Sequence, residues 1–140
     1  MEMFNSDIIG IVASYRALLM KEAKMEKAPE LPVAVSWARR LNMKELGKAA
    51  ETINEALRDL DDQYNTDERS MDKEVALEDG KKTTVRIVKD EFMEEYSKKR
   101  LEILSQKTDV KIKMISIEAL KDVALTEAQM DTLEFMIEEG

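Results

Sequence analysis

At 140 residues, 44% hydrophobic and 37% charged, the chain is too apolar for disorder and is sized for a single domain with a real core. Its net charge of −8 argues against a general nucleic-acid binder, which needs a basic footprint, so nucleic acid is not an expected partner. The chain has no cysteine and no histidine, which excludes disulfides, thiolate nucleophiles, Cys/His zinc sites and imidazole acid–base chemistry together.

The first helix is expected to start at Asn5 or Ser6, either of which can cap the free amides of the first turn. Ile8, Val12, Tyr15 and Leu19 form its apolar stripe, widened by Ile11, Leu18 and Met25. The run over residues 8–20 is the most apolar in the chain, but it carries Arg16 and is too short to span a bilayer. Acids rather than bases precede it, at Glu2 and Asp7, unlike a secretory signal. The expectation is a soluble, unprocessed protein in the cytoplasm. Pro29 and Pro32, the only two prolines, fix a corner, with Pro32 opening the next helix.

Residues 32–64 read as one long amphipathic helix. Val33, Trp37, Leu41, Leu46, Ala50, Ile53, Leu57, Leu60 and Tyr64 follow one another at three- or four-residue intervals, with one step of five between Leu41 and Leu46. Such a rod is on the order of 50 Å long, and its stripe needs cover along the whole length. Trp37 is expected in that core, against the first helix. Gly47 marks a kink, a close backbone approach or simply a tolerated glycine. Glu51, Glu55 and Asp59 line an exposed face. As a mimic of a nucleic-acid backbone this ridge is weak, because Lys44, Lys48 and Arg58 interrupt the helix.

The helical period is lost after residue 65. Alternation over residues 74–77 and 83–88, separated by Asp79-Gly80, predicts a β-hairpin with a short loop. A three-residue loop placing Val75 opposite Val85 matches the faces better than a two-residue one. A lone hairpin is marginal and calls for a helix or a third strand. A helix is predicted from a cap at Asp90 to Gln106, with Phe92, Tyr96, Ile103 and Leu104 on its apolar face and Glu94–Lys98 and Glu95–Lys99 as i, i+4 pairs. Residues 109–115 alternate cleanly and are the candidate third strand. Ser116 caps a short helical turn, and Thr126 with Gln129 forms a capping box opening a last helix through Glu139, whose face is Met130, Leu133, Met136 and Ile137.

The fold expected is therefore mainly α, with a small β-hairpin or a three-stranded antiparallel sheet, the long helix being packed in an antiparallel helical bundle. All of it forms a single domain, 1–140: an N-terminal helix and proline corner (1–30), the long helix (31–65), the hairpin (66–89), and a helix, strand and C-terminal helix (90–140).

Chemistry-bearing patterns are few. Glu91-x-x-Glu94 and Asp131-x-x-Glu134 have the i, i+3 spacing with which helical nucleotide hydrolases hold Mg²⁺, but no glycine-rich phosphate loop accompanies them. Carboxylates at this spacing are most often a solvated face. The basic stretch over residues 98–113 lacks glycines to bring backbone amides to an anion, and its lysines suit the blunting of a strand edge. No catalytic residue, metal site or cofactor is assigned. The long stripe and the ten methionines instead favour an interface, either a homodimer or a partner helix in coiled-coil fashion. Trp37, Leu41, Ile53, Leu57, Leu60, Met130, Leu133 and Met136 are its expected members.

The order of signals also carries a resemblance. Leu-Pro-Val-Ala-Val-Ser-Trp at residues 31–37 opens the long helix, a turn-rich Asp-Gly segment, a helix and the alternating 110–114 stretch follow, and residues 125–139 close the pattern. Over residues 31–139 this resembles a family of short proteins of tailed phages and prophages of Gram-positive bacteria, without a characterised function. The resemblance implies a viral protein that acts by binding a host or phage protein. A defence or regulatory factor of the host is the first expectation, virion assembly as scaffold or chaperone the second, and a Mg²⁺-dependent nucleotide hydrolase using Glu91, Glu94, Asp131 and Glu134 the third.

Overall fold

In the computed structural model, which describes residues 1–27 and 30–138, the elements run β1 (Glu2–Phe4), α1 (Asn5–Ala23), α2 (Val33–Tyr64), β2 (Ser70–Ala76), β3 (Lys82–Val88), α3 (Asp90–Leu104), β4 (Lys107–Asp109), β5 (Ile115–Ser116), a 3₁₀ turn (Ile117–Leu120), α4 (Glu127–Leu133), a second 3₁₀ turn (Glu134–Met136) and β6 (Ile137–Glu138). The protein is mainly helical, and the long helix is continuous over the predicted span. Part of the predicted proline corner, at Pro29, and the predicted end of the last helix, at Glu139, lie outside the described residues. Two compact units are present: Met1–Thr52 with Lys107–Gly140, and Ile53–Gln106.

In the first unit the core joins Val35 and Ala38 of α2 to Ile115, Leu133 and Met136, with Leu31, Ile112, Leu120, Leu125, Phe135 and Ile137 packed around them. α1 packs on α4, burying Ile8, Val12 and Leu18. The capping box of α4 is present as predicted: Gln129 N donates to Thr126 Oγ1 and Thr126 N to Gln129 Oε1, both at 3.1 Å. Ser116 caps its short turn, accepting from Glu118 N. α1 departs from the prediction at its start: its N-cap is Phe4, without a side-chain cap. Asn5 is turned inward, where its Oδ1 accepts from Thr108 Oγ1 at 2.6 Å.

The predicted third strand does not join the hairpin. Three two-stranded sheets form instead: β1–β4 and β2–β3 antiparallel, and β5–β6 parallel. Residues 110–114 alternate in sequence without lying in any strand. Their backbone is met by a side chain. Asn42, 1% exposed in the third turn of α2, donates from Nδ2 to Lys113 O at 2.9 Å, and Lys113 N donates to Asn42 Oδ1 at 2.7 Å. One amide thus supplies both bonds that a neighbouring strand residue would have made. The last helix also ends earlier than predicted, at Leu133, because the chain must extend at Ile137 to pair with Ile115.

Gly47 leaves open space where a Cβ would stand, so no close approach requires it. Gly47→Ala is expected to stabilise the protein by about 1 kcal/mol and to raise the melting midpoint by a few degrees. Circular dichroism melts check this, and a lowered midpoint would mean a contact at that position.

The second unit is organised around Tyr64, which is fully buried, with Leu60, Leu57 and Ile53 buried one, two and three turns back. Tyr96 of α3 meets the Tyr64 ring edge-on at 5.3 Å between centroids. Arg69 and Lys99 place their cations 5.0 and 5.2 Å from its centre. Ser70 Oγ donates to Tyr64 O, and Tyr96 donates its hydroxyl proton to Asp61. α3 begins from Lys89 rather than from an Asp90 cap, with Asp90 and Glu91 in its first turn. Its face is as predicted: Phe92, Tyr96, Ile103 and Leu104 are half-buried. Of the two i, i+4 pairs, Glu95–Lys99 closes at 3.3 Å.

The hairpin forms with a register two residues from the expected one. Val75 faces Thr83, and Val85 faces Lys73. The loop is Glu78-Asp79-Gly80: Gly80 sits at φ +82°, its N–H donates to Leu77 O at 3.0 Å, and Asp79 Oδ1 accepts from Lys81 N at 3.0 Å. A glycine in the left-handed region is the last residue of such a three-residue loop, and that requirement sets the register. The two-residue slide leaves every side chain on its predicted face.

Arg86 ties the hairpin to the turn before it, pairing with Asp67 at 2.8 Å and Asp72 at 3.3 Å. The Arg86 guanidinium holds the Asp67 carboxyl below its ordinary range. The Tyr64 hydroxyl and then Lys99 do the same for Glu95, although the hydroxyl closes no hydrogen bond of normal geometry. Both carboxyls titrate lower folded than unfolded, so their contribution is present above about pH 4 and is lost as pH falls through the folded values. Tyr96 runs the other way. Its bond to Asp61, followed by burial, raises its pKa, so its contribution holds below about pH 10 and fades as pH rises through the folded value. Urea midpoints measured against pH are expected to fall below pH 4, with a shallower fall for Asp67→Asn. An identical acid limb in that variant would disprove the Arg86–Asp67 linkage.

A candidate protein-docking face

The predicted interface residues do not form one surface. Ile53, Leu57 and Leu60 are buried, as are Leu133 and Met136 in the first unit. The cover sought for them in a second copy is supplied by the chain itself. Trp37 corrects the core expectation: it is 55% exposed, and Val33 before it is 85% exposed. Leu41 is half-buried.

The reason lies in the step of five. At about 100° per residue, moving from Leu41 to Leu46 turns the helix by about 140°. The true buried face continues back from Leu46 through Asn42, Ala38 and Val35, at spacings of four, four and three. These residues are small, polar or short, and a hydrophobic reading passes over them. Val33, Trp37 and Leu41 form a second stripe on another side of the same helix.

That second stripe meets α1. Tyr15, Trp37, Arg40, Leu41, Met43 and Lys44 line a groove of about 390 Å³. Leu19, one turn on from Tyr15, and Val33, one turn back from Trp37, are exposed and extend the apolar surface. Under the α1 wall, Arg39 is 8% exposed and sets its guanidinium 5.2 Å from the Tyr15 ring centre. Its Nη1 has no hydrogen-bond partner. The groove lining thus holds two aromatics, two aliphatic side chains and two cations, and no acid.

Met130, the remaining predicted member, lies elsewhere. It is exposed beside Ile117, Leu120, Val123 and Leu125 in a cleft of about 690 Å³ edged by Glu118 and Lys121, whose charges offset each other. Glu91 and Glu94 belong to the second unit, and Asp131 and Glu134 to the first. Among the described residues no group of three or more His, Cys, Asp or Glu side chains is gathered as metal ligands would be.

Tyr15, Arg40 and Lys44 were not among the expected interface residues. The usable signal was Tyr15 on α1 together with the break in period at residues 41–46. Among the described residues no helix is long and apolar enough to cross a membrane. In comparisons with known protein families, curated proteins and solved structures, the chain matches none.

Proposed function

We propose that the protein is non-enzymatic and acts by binding another protein through the Tyr15–Trp37–Arg40–Leu41 face. The observation carrying this reading is the exposure of the only tryptophan within an aromatic and cationic groove. Tryptophan, tyrosine and arginine dominate the energetics of protein interfaces, and an indole left in water gains on being covered. The resemblance over residues 31–139 to short phage and prophage proteins supports a host-cell protein as the partner, a defence or regulatory factor, met in the bacterial cytoplasm.

Capture from bacterial lysate by the immobilised protein tests this. The expected result is a specific host partner retained by the wild-type chain and lost with Trp37→Ala. A partner captured only from phage-infected lysate would replace the host target with a virion component. Capture indifferent to Trp37→Ala would overturn the docking face. A rise in melting temperature with Mg²⁺ and nucleotide would replace binding with hydrolase chemistry at the Glu91–Glu94 or Asp131–Glu134 turns.

A further inference from the structure

We infer that the occupant of the groove between α1 and α2 is an acidic amphipathic helix of the partner protein, an identification that rests on the docking reading above. Its apolar side chains cover Tyr15, Trp37 and Leu41, and its carboxylates face Arg40 and Lys44.

Charge argues for the sign. The chain carries −8 overall, yet every charged residue lining this groove is a cation. Arg39 adds a further one: a nearly buried guanidinium with an open Nη1 donor beneath Tyr15. Among the described residues no acid forms an ion pair with Arg39, and a nearly buried cation so placed projects its potential into the adjacent groove, where a low-dielectric wall screens it less than water does. An anionic segment meets complementary potential here, and among the described residues the clefts at Met1–Lys111, Asp61–Arg86, Met3–Phe135 and Ile117–Ile137 all include acids in their lining. The cleft of Met3, Ile11 and Phe135 is edged by Asp7, Asp131 and Glu134, and the Met130 cleft has one charge of each sign.

Shape argues for a helix. The lining is helical throughout, five residues of α2 and Tyr15 of α1, with no strand edge to extend, and a helix lying along such a face presents apolar residues every three or four positions. Leu19 and Val33, each one helical turn from a groove residue, are exposed apolar side chains outside the lining, and apolar surface spread over successive turns suits an elongated occupant better than a single inserted side chain. The division of labour follows. Apolar anchors over Trp37 carry affinity, while the exposed cations at Arg40 and Lys44 set approach and orientation.

A random-sequence peptide display library, lacking tryptophan and panned on the full chain, tests both parts. Enriched peptides are expected to carry net negative charge with apolar residues at helical spacing. Their binding should move the emission of Trp37, the only tryptophan, to the blue. The double variant Arg40→Glu, Lys44→Glu should weaken them tenfold or more. Enriched peptides that are neutral or basic but still move the Trp37 emission would overturn the acidic occupant while leaving the docking face standing. Peptides that leave Trp37 emission unmoved and bind Trp37→Ala equally, or the absence of any enrichment, would overturn both. Sedimentation showing a dimer that Trp37→Ala dissociates would assign the groove to a second copy and overturn the inference.

Discussion

Asn42→Leu should unfold at a markedly lower urea concentration than the wild type, with a loss of about 2–4 kcal/mol. Leucine keeps the branching and number of side-chain heavy atoms of asparagine, though it is bulkier, and it removes the two hydrogen bonds to Lys113 together with the longer one from Nδ2 to Met136 Sδ at 3.4 Å. Losing them leaves a backbone donor and a backbone acceptor unpaired in a part-buried setting, each at a cost of about 1–3 kcal/mol. The gain from burying a more apolar side chain offsets only part of this. Asn42→Asp gives a sharper version. It keeps the acceptor for Lys113 N but removes the donor to Lys113 O and buries a charge, so it should be at least as damaging near neutral pH. A midpoint for Asn42→Leu within error of wild type would mean that the 110–114 segment is held by its apolar side chains alone.

Trp37→Ala should separate folding from binding. With the indole half in water, its truncation should change stability by no more than about 1 kcal/mol, since surface substitutions away from special features stay near ±0.5 kcal/mol. Capture of the partner should fall by about 30-fold or more, because truncating a central interface tryptophan costs about 2 kcal/mol or more. Thermal melts and capture measured on the same preparation give both readings. A large drop in melting temperature would mean that Trp37 is a structural residue after all, and the docking face would lose its anchor.

These two predictions concern neighbouring stretches of one helix, and they mark where the sequence was legible and where it was not. From Leu46 to Tyr64 the hydrophobic period and the buried face coincide, because each buried position there carries an apolar side chain. Before Leu46 they diverge. The buried positions are Val35, Ala38, Arg39, Asn42 and Met43, whereas the most apolar-looking series is Val33, Trp37 and Leu41. Hydrophobicity measures what a side chain would gain by burial, and it does not register that Asn42 repays its own burial through Lys113.

The same distinction applies to the small elements. The capping box at Thr126 and Gln129 and the Asp79-Gly80 turn depend on residues three or fewer apart, and local chemistry placed both. The strand pairs β1–β4 and β5–β6 join segments far apart in sequence, and nothing local in residues 2–4 or 137–138 names its partner. Of the docking groove, Trp37 and Leu41 were legible as apolar helix positions. The roles of Tyr15, Arg40 and Lys44 were not, because they follow from α1 meeting α2.

Composition and neighbours within a turn or two were enough for the exclusion of imidazole and thiol chemistry, the span of the long helix, the hairpin turn and the caps at Ser116 and Thr126, whereas the starts of α1 and α3 were not set locally. The tertiary structure decided which face of α2 is covered, that an asparagine takes the place of a strand, and that the lone tryptophan stays in water. Those outcomes depend on which remote segments compete for the same surface, and a helix with two apolar stripes can bury one of them only where the rest of the chain reaches it.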